Sequence, residues 1–249
     1  MKIIIVPALE DVGQAAAEEI WRALRSDPVR VLGVATGSTP LPVYEALAGD
    51  LGVEPSSVTI FGLDEYIGLP ATHPESYHAF VHAHVTVPLG LDPLRVHLPD
   101  GMARDPDREA VRYEDAIRAA GGISIQILGI GTNGHIGFNE PLSSLASRTR
   151  AIQLASQTRR DNARFFSRLE EVPQRAITQG IGTIVESRRL LLLATGPEKA
   201  LALSRAIEGP IAANCPASAI QLHPDVTVIA DAAAASQLSH FQLHDAALI

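Results

Sequence analysis

Short apolar runs rich in β-branched residues alternate along nearly the whole chain with longer stretches whose apolar residues recur every three or four positions. Runs of the first kind predict buried strands, and they span residues 2–6, 29–35, 58–63, 123–130, 189–195 and 226–231. Stretches of the second kind predict helices, and they span residues 11–25, 41–51, 107–121 and 197–209. Because such alternation is typical of parallel sheets, the sequence predicts an α/β fold whose mostly parallel sheet is covered on both faces.

Length and charge narrow the class of protein further. A chain of 249 residues corresponds to one or two domains, and α/β chains of this length often form one, so we expect a single domain over 1–249. The irregular, polar segment at about 141–185 is expected to form a lid or a subdomain over the sheet edge. A net charge of −8 argues against a nucleic acid or an anionic membrane as partner. With one cysteine and no apolar run of membrane length, we expect a cytoplasmic protein.

The loop after the strand at 123–130 contains the pattern Gly-x-Gly-x-x-Gly, at Gly129, Gly131 and Gly134. A nicotinamide site needs these glycines to open a helix, and it needs an acidic residue about 20 positions further on. Residues 135–141 contain another glycine and a proline, which indicate a loop, and no acid occurs near the required position until Asp161. The sequence therefore disfavours a nicotinamide cofactor and predicts a tight loop that holds polar side chains at the strand's end.

A second polar loop follows the strand at 29–35 and contains Gly37, Ser38 and Thr39, directly before Pro40. Hydroxyl residues followed by proline are typical of helix N-termini, and the N–H groups there attract phosphate. A Walker-type Gly-Lys-Ser/Thr ending is absent, which disfavours a nucleoside triphosphate. The loop is therefore either an ordinary helix cap or a phosphate site.

Two groups of residues are candidates for proton transfer. Asp64 and Glu65 end an apolar strand, and because strand neighbours point to opposite faces, we expect them to have different roles. One of them is placed to act as a general base, and the alternative is loop capping. Asn133, His135 and Glu140 share the loop after the next predicted strand. A histidine near a carboxylate moves protons at neutral pH, whereas the spacing of a metal site is absent; the alternative is a histidine that only makes structural hydrogen bonds.

Arg164 and Lys199 are candidates for clamping a phosphate. Lys199 is the only lysine besides Lys2 in a chain with 18 arginines, and it follows a buried strand. The alternative for Arg164 is a solvated charged surface. Cys215 has no neighbouring base in the sequence, so we interpret it as structural.

Together these motifs make the chain similar to the glucosamine-6-phosphate deaminase family. The matching segments run in the family's order from about residue 30 to 231, and they are ATGSTPLPVYEAL, FGLDEYIGLPATHPESYHAF, LGIGTNGHIGFNEPLSSLASRTR, ARFF, ITQGIGTI, GPEKALAL and CPASAIQLHPDVTVIAD. FNEP after GHIG and LDEYIGL with HPESY are specific signals, whereas GSTP also occurs in related sugar-phosphate proteins.

The resemblance implies a three-layer, Rossmann-like α/β/α fold with a lid. It also implies conversion of an amino-sugar phosphate, glucosamine 6-phosphate, and water into fructose 6-phosphate and ammonia, with no redox cofactor and no catalytic metal. Asp64 then corresponds to the base that moves the C2 proton to C1. His135 corresponds to the acid–base that opens the sugar ring, with Glu140 as its carboxylate partner and Asn133 in support. The implied phosphate site consists of Gly37, Ser38, Thr39, Arg164 and Lys199.

Two features depart from the family pattern. Many relatives carry Asp where this chain has Asn133, and because an amide cannot balance an imidazolium, His135 and Glu140 are expected to act as the pair. Some bacterial relatives are hexamers activated by N-acetylglucosamine 6-phosphate through a lysine and a tyrosine. Here Arg150 is retained, but the lysine position is Ile152, and the chain ends soon after the last predicted strand. We therefore expect no such activation, and a monomer or homodimer rather than a hexamer.

Three other functions are weighed against this one. A 6-phosphogluconolactonase shares the fold group, but Ala-Ser-Leu-Phe-Pro typically follows its histidine, whereas IGFNEP follows here. A sugar-phosphate sensor of a transcription regulator carries a helix-turn-helix and a basic face, and this acidic chain begins directly with a strand. A galactosamine-6-phosphate deaminase stays open, because the contacts that select the epimer are not identifiable from the residues.

Overall fold

The computed structural model describes residues 1–239; residues 240–249, the end of the predicted domain, lie outside the described residues. The described part contains ten strands: β1 (Lys2–Val6), β2 (Val31–Val34), β3 (Thr59–Gly62), β4 (Asp64–Tyr66), β5 (Val96–His97), β6 (Ile125–Gly129), β7 (Arg150–Gln153), β8 (Arg175–Thr178), β9 (Leu190–Ala194) and β10 (Val226–Asp231). Seven of them form one sheet in the order β1-β10-β9-β6-β2-β3-β5. Every neighbouring pair in it is parallel, as the alternating pattern predicts.

Helices cover both faces of this sheet. The described part contains α1 (Leu9–Ser26), α2 (Leu41–Gly49), α3 (Tyr77–Val81), α4 (Pro106–Ala119), α5 (Ser156–Asn162), α6 (Ile181–Val185) and α7 (Ala200–Ile207). The apolar faces of α1 and α2 join the large core that contains Leu32. The strand neighbour of Leu32, Val31, belongs to a separate cluster with Tyr113 and Ile117 of α4. The predicted three-layer, Rossmann-like α/β/α fold is therefore confirmed, and in the described part no helix is long and apolar enough to cross a membrane.

The strand order reverses between β2 and β6. From β2 the chain proceeds through β3 to β5 on one side, and then places β6, β9 and β10 on the other side. In open parallel sheets, ligands bind outside the carboxyl ends of the strands at such a switch point. The loops after β2 and β6 border this crevice, and they are the loops that carry Gly37 and His135.

A second, antiparallel sheet lies beyond the carboxyl end of β3, in the order β4-β8-β7. Its register aligns Asp64 with Thr178, and Thr178 with Arg150. Between β7 and β8 the chain forms residues 154–174, which we call the α5 segment because they contain α5 and two short 3-10 turns. The α5 segment lies within the stretch for which the sequence predicts a lid.

The predicted elements are all present, but the sequence missed the short ones. The ends of the six strands and four helices differ from the prediction by a few residues, and Pro197–Lys199 form a 3-10 turn before α7. The helix start signalled by Ser38, Thr39 and Pro40 is present, with Pro40 as the N-cap of α2 and no side chain capping the helix. The missed elements are β4, β5, β7, β8, α3, α5 and α6.

Candidate active site

The polar loops predicted to carry the chemistry all leave the carboxyl edge of the parallel sheet. Gly37 follows β2, Asp64 follows β3, His135 follows β6 and Lys199 follows β9. In the sheet, β9, β6, β2 and β3 are consecutive neighbours. The topology therefore gathers residues that are far apart in the sequence along one edge.

Asp64 is the first residue of β4 and is 5% exposed. No hydrogen bond to its carboxylate is formed within the described residues. Burial and, more weakly, the charge of Glu65 raise the pKa of Asp64 to about 8. A methyl group placed on Gly137 would lie 3.4 Å from Asp64 Oδ2, so this carboxyl group faces the loop that follows β6. An oriented, desolvated carboxylate is suited to abstract a proton from carbon.

Glu65 is also buried, at 1% exposed, but unlike Asp64 its carboxylate is fully hydrogen-bonded. Its Oε1 accepts hydrogen bonds from the backbone N–H groups of Tyr66 and Tyr77. Its Oε2 accepts from the backbone N–H of His78 and lies 2.8 Å from His78 Nδ1. Glu65 therefore binds the first turn of α3, where negative charge is favourable, and it is not directed at the crevice.

The loop after β6 is shaped by a glycine that no other residue replaces without strain. Gly134 has φ +86°, a conformation that L-residues with side chains rarely adopt. A Cβ built on Gly134 would lie 2.7 Å from the Sγ of Cys215, which is buried. This close packing gives Cys215 the structural surroundings that the sequence predicts. The loop conformation predicted for 135–141 is confirmed, because β6 is followed by turns rather than by a helix.

Asn133 lies between His135 and Glu140. The Oδ1 of Asn133 is 2.8 Å from His135 Nδ1 and accepts from the His135 backbone N–H, while its Nδ2 donates to Glu140 Oε2 at 2.8 Å. The direct distance from His135 Nδ1 to Glu140 Oε2 is 3.7 Å. The imidazole is therefore hydrogen-bonded to the amide and interacts with the carboxylate through charge. Asn133, which the sequence places in support of the pair His135 and Glu140, thus lies between the two side chains and forms hydrogen bonds with both.

Glu140 is held as a charged carboxylate. Burial acts to raise its pKa, but the nearby His135 and hydrogen bonds from Thr158 and Asn133 outweigh burial and lower the pKa of Glu140 to about 2. The Thr158 hydroxyl donates to Glu140 Oε1, so each carboxylate oxygen has its own donor. Sequence reasoning missed Thr158, since it lies 18 positions from Glu140 and no motif links the two.

The loop after β2 exposes backbone donors. Gly37 has φ +95°, and within the described residues the N–H groups of Gly37, Ser38 and Thr39 make no hydrogen bond. Since polar backbone groups in proteins are nearly always paired with protein, water or ligand, three successive N–H groups at the start of α2 form a suitable cradle for an anion.

Arg164 and Lys199 lie on different elements, close enough for the charge of Arg164 to act on Lys199. Burial lowers the pKa of Lys199. The charge of Glu198 opposes this, while the charge of Arg164 lowers the pKa further, against a smaller effect of Asp161. In the described part of the chain, neither cation forms a salt bridge with a carboxylate. Arg164 belongs to the α5 segment, where its guanidinium lies 4.7 Å from the ring centroid of Phe165. Two neighbouring cations that form no salt bridge within the described residues are suited to bind a dianion such as phosphate.

The geometry thus brings the predicted residues to one edge as two groups. Asp64 faces the loop of His135, Asn133 and Glu140, and the charge of Arg164 acts on Lys199 after β9. The described residues contain no group of three or more His, Cys, Asp or Glu side chains arranged to hold a metal ion.

Comparison with known proteins identifies the family of the chain. The profile of the family described as glucosamine-6-phosphate isomerases/6-phosphogluconolactonase matches residues 8–229. The chain belongs to this family. Among its curated relatives, the glucosamine-6-phosphate deaminase of Streptomyces avermitilis is 55% identical over 242 residues, with 96% of this chain and 93% of the relative covered. The glucosamine-6-phosphate deaminase of Bifidobacterium longum (strain NCC 2705) is 52% identical over 251 residues, with the same shares covered.

Solved structures of the glucosamine-6-phosphate isomerase/6-phosphogluconolactonase family show the same fold. One is described as a monomeric glucosamine-6-phosphate deaminase; it is 42% identical and superimposes with a TM-score of 0.91 over 95% of this chain and 100% of that chain. The 6-phosphogluconolactonase of Trypanosoma cruzi is 21% identical, with a TM-score of 0.77 over 96% of this chain and 97% of its own. At that identity the likeness extends to the fold alone.

Proposed function

We propose that this protein is a glucosamine-6-phosphate deaminase, which converts glucosamine 6-phosphate and water into fructose 6-phosphate and ammonia. The observation that carries the proposal is the buried carboxylate of Asp64, which makes no hydrogen bond within the described residues and faces the loop of His135. The names of the curated relatives, at 52–55% identity over nearly the whole chain, support the same reaction.

The chemistry begins with opening of the sugar ring. His135 delivers a proton to the ring oxygen while the C1 hydroxyl loses one, which gives the open-chain aldehyde. Asn133 and Glu140 orient the imidazole and stabilise its protonated form. Histidine suits this step because it exchanges protons near neutral pH.

Asp64 carries the isomerisation. Its carboxylate removes the proton from C2, and the aldehyde oxygen takes back the proton that the C1 hydroxyl lost on ring opening, which gives an enol that bears the amino group. The proton held by Asp64 is then returned to C1. The product is an imine at C2, which water hydrolyses to the ketone with release of ammonia. All steps are proton transfers and additions of water, so the reaction is redox-neutral and requires no redox cofactor.

The phosphate is bound away from the reacting carbons. The N–H groups of Gly37, Ser38 and Thr39 and the cations of Arg164 and Lys199 are proposed to hold it. Binding energy from a remote group that does not react positions the sugar for proton transfer. Because Arg164 lies on the α5 segment, phosphate binding favours closure of this segment over the site. We therefore assign the α5 segment the role of the lid predicted within 141–185.

We also propose that the protein is a monomer or a dimer without an effector site of the hexameric type. Ile152 at the effector-lysine position supports this, as does the description of the solved relative at 42% identity as monomeric.

The test is ammonia release from glucosamine 6-phosphate by the wild type and by Asp64→Asn, without added metal. Galactosamine 6-phosphate and 6-phosphogluconolactone are assayed in parallel. Ammonia with an equal amount of fructose 6-phosphate, lost in the variant, supports both the reaction and the role of Asp64. Lactone hydrolysis without ammonia release would replace the proposal with a lactonase, and preference for galactosamine 6-phosphate would correct the epimer.

A further inference from the structure

Thr158 connects the α5 segment to Glu140. It lies within α5, its side chain is buried with the residue 5% exposed, and its hydroxyl donates to Glu140 Oε1. The other carboxylate oxygen, Oε2, accepts from Asn133, which in turn contacts the His135 imidazole. With a donor on each oxygen, the plane of the Glu140 carboxylate is fixed relative to the imidazole.

The same α5 segment reaches two other parts of the site. Asn162, at the end of α5, donates through Nδ2 to the hydroxyl of Tyr66, which is two residues beyond Asp64. Arg164 follows α5 directly, and its charge is felt by Lys199. One short helix therefore joins the proposed phosphate cations to the carboxylate that supports the histidine.

We propose that Thr158 is a positioning residue that orients Glu140, and through it His135, when the α5 segment is docked against the sheet. The inference rests on the proposed deaminase function and deepens it. Thr158 itself touches no reacting atom. Its hydroxyl ensures that the acid–base pair for ring opening is complete only when the segment that carries Arg164 is in place.

The physical reason is the freedom of an unsupported carboxylate. Without the Thr158 hydroxyl, the Glu140 carboxylate rotates about its last side-chain bond, and Oε2 no longer holds Asn133 against the imidazole. A hydrogen bond to a charged group contributes enough to change a rate by about one to two orders of magnitude. The loss falls on the ring-opening step and leaves the phosphate contacts unchanged.

The experiment compares Thr158→Val with Thr158→Ser. Valine keeps the shape and removes the hydroxyl, whereas serine keeps the hydroxyl. We expect kcat for ammonia release to fall by about 10- to 100-fold in Thr158→Val, with KM within about 2-fold of wild type, and to be largely retained in Thr158→Ser. Thr158→Val with wild-type kcat, or Thr158→Ser as slow as Thr158→Val, would overturn the inference.

The pKa of Glu140 itself gives a readout that a merely structural role would not move. Hydrogen bonds to its charged form lower the pKa of Glu140, so removal of the Thr158 donor raises that pKa. NMR titration of carbon-13-labelled glutamate carboxyl groups, with Glu140→Gln to assign the signal, is expected to show a higher Glu140 pKa in Thr158→Val than in the wild type or Thr158→Ser. An unchanged Glu140 pKa in Thr158→Val would count against the inference.

Two controls separate this effect from loss of folding and from failure of the proposed function. Thr183 is also buried, and its hydroxyl donates to Glu114, remote from the proposed site; Thr183→Val is expected to lower the melting temperature but not kcat. Binding of an acyclic 2-amino-2-deoxyhexitol 6-phosphate, which has no ring to open, is expected to be equal in wild type and Thr158→Val. If the wild type releases no ammonia, the proposed function fails; if only the difference between variants is missing, the inference alone fails.

Discussion

Asp64 and Glu65 are adjacent buried carboxylates in β4, and their hydrogen bonding is opposite. Glu65 accepts three backbone N–H groups and contacts His78, whereas Asp64 accepts no hydrogen bond within the described residues and faces the loop of His135. Since the Glu65 carboxylate is hydrogen-bonded to the first turn of α3, Asp64 is the acid available for proton abstraction. Because successive side chains of a β-strand point to opposite faces, the two neighbouring carboxylates have different surroundings and different roles.

The raised pKa of Asp64 predicts how the rate depends on pH. With a pKa of about 8, only about a tenth of the free enzyme carries the ionised base at pH 7. We therefore expect kcat/KM to rise with pH until about pH 8 and then level off. A rate profile from pH 6 to 9.5 tests this, and a plateau reached already at pH 6 would contradict it.

The same pKa predicts a change in stability. Because the folded-state pKa is raised from 3.8 to about 8, the contribution of Asp64 to stability is complete below about pH 4 and is lost as pH rises through about 8. Asp64→Asn stays uncharged, so it should be more stable than wild type at pH 9, by at most about 6 kcal/mol, and similar to it at pH 4. Urea unfolding at both pH values is the measurement, and equal differences at the two pH values would contradict the prediction.

Glu65→Gln should destabilise the protein and lower the pKa of the base, Asp64. Loss of a buried carboxylate that binds α3 costs about 2–3 kcal/mol, which is measured by thermal unfolding. Removal of the Glu65 charge also lowers the pKa of Asp64, so the rise in kcat/KM should occur at lower pH. Asp115→Asn, which removes an exposed acid from α4, is the matched control and should change neither quantity.

Arg164→Gln and Lys199→Gln should raise KM for the phosphorylated substrate by about 10- to 100-fold each, because each removes a charged donor to the phosphate. If both bind one phosphate, their effects are not additive, and a double-mutant cycle measures the coupling. Arg160→Gln makes the same change of charge on the exposed side of α5 and should leave KM unaltered. Equal KM values for all three variants would refute the clamp.

Gly134→Ala should destabilise the loop of His135 by about 1–3 kcal/mol, because it adds a Cβ at φ +86° that overlaps Cys215. Cys215→Ala in the same chain should restore the part of the loss that comes from overlap, but not the part that comes from φ. Gly49→Ala, where a Cβ meets no atom within 4 Å, should be neutral or stabilising. The comparison requires melting temperatures of the four proteins.

The alternation of apolar runs and helical stretches was sufficient to predict the parallel sheet and its covering helices. Such elements are long, and burial on one or both faces imposes a period that is visible in the residues. The short strands β4, β7 and β8 have no such period, because tertiary hydrogen bonds rather than an amphipathic face stabilise them. The same holds for α5, whose polar sequence SQTRRDN gives no apolar stripe.

The candidate site residues also fall into two groups, those that local sequence motifs identify and those that only the folded structure connects. Family motifs were enough to name Asp64, His135 and Glu140, because each lies in a local pattern that follows a strand. Residue patterns alone left open which of Asp64 and Glu65 faces the crevice, and they did not connect Thr158 with Glu140. Those relationships depend on side chains that meet only after the chain has folded. The sequence determined the elements because their burial pattern is local, whereas the donors and acceptors of the site are decided by contacts between distant segments.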